Sequence, residues 1–74
     1  MVQKEGWNVK LEEALFEARP YVEYYKRLER TVKRLWEESK DGENFVRLVE
    51  REIARSEEPF KTDLRIFLQK FRSL

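Results

Sequence analysis

Phe60, Leu64, Phe67, Leu68, Phe71 and Leu74 recur mostly at steps of three and four residues along the last part of the chain. At the roughly 100° per residue of an α-helix they gather in an arc of about 120°, whereas the alternation of a strand would scatter them over two faces. Phe45, Val46, Val49 and Ile53 do the same, with Leu48 at the edge and Glu52 at the rim of the stripe. So do Tyr21, Tyr24, Tyr25, Leu28, Val32, Leu35 and Trp36. This repeated spacing predicts an all-α chain whose helices share one core.

Prolines and glycine punctuate the helices. Met1 to Gly6 reads as a loose tail, and Asn8 as the N-cap of a first helix over 8–18. Pro20 suits the first turn of a second helix over 20–40. Lys40 to Glu43 is a turn in which Gly42 is expected to supply a left-handed cap and Asp41 or Asn44 to open a third helix over 44–56. Pro59 opens a fourth over 59–73. The expected architecture is a single domain over 1–74, a compact bundle of about four helices with short Pro- and Gly-marked connections.

With 74 residues the core is small, and Leu15, Tyr24, Leu28, Val32, Leu35, Val49, Ile53, Leu64, Phe67 and Phe71 are expected to form it. The chain has no Cys and no His. Disulfides, thiolate and imidazole metal sites, and nucleophiles or bases made from those side chains are therefore excluded. Among the carboxylates, the pairs Glu12/Glu13, Glu37/Glu38 and Glu57/Glu58 are adjacent, and adjacent helical residues diverge by about 100°. None converges on one substrate atom. Ser39, Ser56 and Ser73 have no histidine to activate them, and the two glycines cannot make a phosphate-cradling loop. No enzyme activity, no metal and no cofactor are expected.

Sixteen basic residues nearly cancel fifteen acidic ones, so net charge names no partner. By segment the charge alternates: −1 over 1–19, +2 over 20–40, −3 over 41–58 and +3 over 59–74. Neighbouring helices of unlike sign would bring complementary rims together and help select one packing. In the second helix Lys26, Arg27, Arg30, Lys33 and Arg34 project away from the aromatic stripe. That geometry argues against single-strand nucleic-acid binding, in which bases stack on rings beside the cations. A face made of Lys26, Arg30, Lys33, Arg34, Lys61 and Arg65 could still meet phosphates or a protein partner. No apolar run exceeds three residues, so no signal peptide and no membrane span are expected, and the chain reads as a cytosolic monomer that requires no partner.

Helix starts at Pro20 and Pro59, the Gly-containing corner at Lys40 to Glu43, charge-dense faces and the lack of Cys and His together resemble computationally designed (de novo) helical proteins. That resemblance implies a thermostable, soluble scaffold whose function is to fold, without a natural ligand. The alternative is a small interaction module from a thermophile, binding a protein partner or nucleic-acid phosphates through the basic residues named above.

Overall fold

The structure, a computed structural model, describes residues 3–74, with side chains from Gly6 onward. It is an all-α bundle of four helices: α1 (Gln3–Ala18), α2 (Tyr25–Glu38), α3 (Gly42–Arg55) and α4 (Phe60–Ser73). A 3-10 turn, Arg19–Tyr21, follows α1 directly. The radius of gyration of 11.2 Å equals the ~11 Å expected of a compact chain of this length, so no helix swings free. α4 packs against the other three helices, most extensively α1.

One core unites the helices. Leu11, Ala14 and Leu15 come from α1, Leu28, Val32, Leu35 and Trp36 from α2, Phe45 and Val49 from α3, and Phe60, Leu64, Phe67, Leu68 and Phe71 from α4. Phe45 is the hub of its aromatic part. The ring meets Trp36, Phe71 and Phe67 edge-on, with centroids 5.1, 5.1 and 6.1 Å away, while Trp7 lies 5.7 Å from Phe71. Rings from all four helices thus touch in a chain; the three Phe45 contacts have the edge-to-face geometry that the ring quadrupole favours, while Trp7 lies tilted at 31° to Phe71.

The residues expected to form a loose tail up to Gly6 are helical from Gln3, and Asn8 lies exposed inside α1 instead of capping it; Met1 and Val2 lie outside the described residues. Trp7 anchors this extension. Its indole packs on Phe71 and covers Gly42, where an added Cβ would stand only 2.5 Å from the ring. Gly42 therefore does not provide a left-handed cap, and no described glycine has positive φ. Its missing side chain makes room for Trp7. The turn is closed instead by Asp41, whose carboxylate accepts from Asn44 N at 2.8 Å, while Asn44 Oδ1 accepts from Lys40 N at 2.9 Å.

The second helix begins at Tyr25, five residues later than Pro20 suggests. Val22 is extended and Tyr24 is the N-cap without a side-chain cap bond of its own. Asp63 of α4 supplies the missing acceptors: its two carboxylate oxygens accept from the backbone N–H of Glu23 at 3.0 Å and of Tyr24 at 2.9 Å. Since residues 22–24 are not helical, Tyr21 and Tyr24 leave the stripe on which a continuous helix would place them. Tyr24 is 48% exposed, against its expected place in the core. Ile53 is only half-buried and Leu74, at the end of α4, is exposed. The other eight residues of the expected core are buried.

Ion pairs join the helices in the order the alternating charges suggest. Lys33 of α2 meets Glu12 of α1 at 3.6 Å, Arg34 of α2 meets Glu52 of α3 at 3.9 Å, and Arg72 of α4 bonds Glu50 of α3. Each is partly solvated and individually weak, so the set selects a packing more than it stabilises one. Among the described residues no helix is long and apolar enough to cross a membrane.

Candidate functional site

Lys26, Arg30, Lys33 and Arg34 all lie on the outer side of α2, opposite Leu28, Val32 and Leu35, because their spacing turns them away from the core. Arg27, Arg30, Lys33 and Arg34 line one open surface of about 870 Å³ together with Glu29 and Thr31. Acids already hold much of it. Lys33 bridges Glu12 at 3.6 Å and Glu29 at 3.5 Å, and the Glu12 carboxylate is the main reason its ammonium is held above the usual lysine range. Arg34 reaches Glu38 at 3.6 Å as well as Glu52, and Arg27 lies 4.0 Å over the ring of Phe60. Lys26 and Arg30 make no ion pair among the described residues.

Lys61 and Arg65 belong to α4 and do not join this surface. Arg65 pairs with Glu58 at 3.8 Å and lines a separate depression with Leu68, Gln69, Arg72 and Ser73. The six basic residues picked out by the sequence are therefore split between two helices, and half of them are neutralised in place. Glu58 itself is drawn below the usual carboxylate range, chiefly by a hydrogen bond from the Thr62 hydroxyl at 2.6 Å.

A second surface carries what the first lacks. Phe16 is 73% exposed, Tyr21 65% and Val9 65%, in a chain that otherwise buries its phenylalanines. Val9 and Phe16 stand seven residues apart on the side of α1 opposite Leu11 and Leu15, so α1 is apolar on both sides. Phe16, Glu17, Arg19, Pro20, Tyr21 and Lys70 surround an open depression of about 620 Å³. The 3-10 turn that follows α1 at Ala18 contributes Arg19, Pro20 and Tyr21 to its lining. Lys70 Nζ sits 5.0 Å over the Tyr21 ring and Arg19 5.2 Å over that of Tyr25, so rings engage both cations.

Sequence reasoning missed this surface. Its signal was present in the spacing of Val9 and Phe16 on the wrong side of a helix whose core side is already complete, while Tyr21 became visible only once α2 was seen to begin at Tyr25. Among the described residues no group of three or more Asp or Glu side chains could hold a metal ion.

No curated protein matches the chain. A family model does match, over residues 8–74. That match to a natural family overturns the resemblance to designed helical proteins and, with it, the reading of the chain as a scaffold made only to fold. Helix quality and dense charge are features that a natural sequence reaches by the same physical route, through propensity and surface ion pairs. The chain belongs to the MJ1579 family.

Proposed function

We propose that the chain is a small, non-catalytic interaction module of the cytosol, monomeric when free, which docks a protein partner at the α1 corner. The observation that carries this reading is the exposure of Phe16, 73%, beside that of Tyr21, 65%. A 74-residue chain has few large apolar groups to spare, and leaving two of them in water next to a depression costs burial energy that the fold could have used. Aromatic residues in such a setting are the usual anchors of protein interfaces. The absence of Cys fits a reducing compartment, and the absence of Cys and His from the sequence supports the non-catalytic part of the reading.

A photoreactive phenylalanine analogue placed at Phe16, and separately at Arg30, in cells that express the protein tests this. Crosslinks to a discrete protein from position 16 and not from position 30 are expected. Equal products from both positions, or none from position 16, would reject it.

One observation favours a second reading, in which the outer side of α2 meets phosphates. Lys26 and Arg30 lack ion-pair partners among the described residues, and cations without base-reading groups give sequence-independent, salt-sensitive affinity. Titration with duplex DNA at two salt concentrations decides it: binding that falls steeply with salt and is lost in Arg30→Glu supports the reading, and no binding at low salt removes it.

A further inference from the structure

The outer side of α1 carries its two apolar residues, Val9 and Phe16, two helical turns and ~10 Å apart. Glu12 flanks this stripe on one side and is tied to Lys33. Glu13 and Glu17 flank it on the other, four residues apart on one face, and neither makes an ion pair among the described residues. Like charges at this spacing repel and weaken a helix slightly, so in the free protein they are a small cost. The cations nearest in the depression, Arg19 and Lys70, are engaged by the Tyr25 and Tyr21 rings.

From this arrangement we infer that the outer side of α1 binds a basic amphipathic helix of a partner protein. Its apolar residues lie on Val9 and Phe16 and enter the depression beside Tyr21, and its Lys or Arg side chains meet Glu13 and Glu17. The inference rests on the reading of the chain as a protein-interaction module and names the chemistry of the partner. A straight stripe of apolar residues separated by seven is the surface that another helix covers with residues at its own three- and four-residue spacing. The flanking carboxylates then choose the sign of that helix.

The carboxylates of α1 also disfavour the other occupants of this face. A second copy laid antiparallel on α1 would bring Glu12 and Glu13 against their own counterparts at the symmetry axis, and a parallel copy would oppose Glu17 to Glu17. Nucleic-acid phosphates and anionic lipid headgroups meet the same carboxylates and are repelled. Partner cations, in contrast, neutralise two acids that the fold leaves unpaired.

The test uses the full chain and a synthetic helical peptide with leucines on one face and lysines at the flanking positions, beside the same peptide with glutamate for each lysine. Wild-type protein is expected to bind the lysine peptide and not the glutamate peptide. Phe16→Ser and the double change Glu13→Lys/Glu17→Lys should each weaken the lysine peptide by about tenfold or more, and the double variant should gain the glutamate peptide. Circular dichroism checks that each variant keeps its helices; all three positions are exposed. If both peptides bind equally and Phe16→Ser removes both, the docking surface stands and the basic partner falls. If the lysine peptide does not bind, or binds Phe16→Ser as well as wild type, the inference fails outright. A wild-type dimer in sedimentation that Phe16→Ser dissolves would assign the face to a second copy and overturn it as well.

Discussion

Asp63 in α4 caps the helix that Tyr24 opens, thirty-nine residues earlier in the chain, by accepting the Tyr24 N–H at 2.9 Å on one carboxylate oxygen and the Glu23 N–H at 3.0 Å on the other. The carboxylate is only 2% exposed, yet both oxygens are occupied by donors that a helix start would otherwise leave unpaired. An interaction normally local to a helix end has become a tertiary contact that fixes where α2 begins and how α4 crosses it. Asp63→Ala should therefore destabilise the protein by about 2 to 3 kcal/mol, the loss of two part-buried bonds to a charged acceptor. Asp63→Asn keeps one acceptor and should lose about half as much. Urea titration followed by circular dichroism measures both, and an Asp63→Ala loss below about 1 kcal/mol would contradict the assignment.

That contact also explains which parts of the fold the sequence disclosed. The stripes of α3 and α4 needed only local spacing, and both helices appear within about two residues of their expected bounds. The start of α2 depended on a carboxylate in α4, which no local rule couples to Pro20. Placing Tyr21 and Tyr24 on a continuous helix then hid the surface beside Phe16, since both were assigned to an inner face they do not share. The early start of α1 was hidden for a similar reason: Trp7 is held by Phe71 and Gly42, at the far end of the sequence and at its middle. The basic residues of α2 were legible as an outward face, but their partners Glu12 and Glu52 lie on other helices.

Gly42 is the first residue of α3, behind the Asp41 N-cap, and its φ is not positive, so alanine meets no backbone obstacle there. In Gly42→Ala the added methyl would instead meet the Trp7 indole at 2.5 Å. The indole is itself packed on Phe71, so the variant should be destabilised by about 1 to 3 kcal/mol. In a Trp7→Ala background the same change should be neutral or stabilising. A double-mutant cycle of denaturation free energies reads the coupling directly.

Phe45→Ala should cost about 3 to 5 kcal/mol, because the ring meets Trp36, Phe67 and Phe71 at once and its removal opens a cavity that three helices cannot close. Arg30→Ala, on the outer side of α2, should change stability by less than about 0.5 kcal/mol. Equal effects in chemical denaturation would mean that the faces of α2 and α3 are assigned wrongly.

Acid should reveal the Glu58 cap. Its carboxylate, lowered from the ordinary value of 4.5 mainly by the Thr62 hydroxyl, contributes stability above that value and loses it as pH falls through the lower folded-state pKa. Thr62→Val removes the hydroxyl bond, so the stability gap between it and wild type should be open near neutrality and narrow as the medium is acidified below 4.5. Denaturation midpoints collected across that range measure the gap; one that stays constant with pH would show that the bond does not titrate.

The surface on α1 stands on the claim that Phe16 is spare to the fold and kept for a partner. Phe16→Ser puts that to the most direct test, since serine and phenylalanine have similar helix propensity and the difference in unfolding free energy reports burial. Urea denaturation of the two proteins should give values within about 0.5 kcal/mol of each other. A loss of about 2 kcal/mol or more would place Phe16 in the folding core and contradict the account.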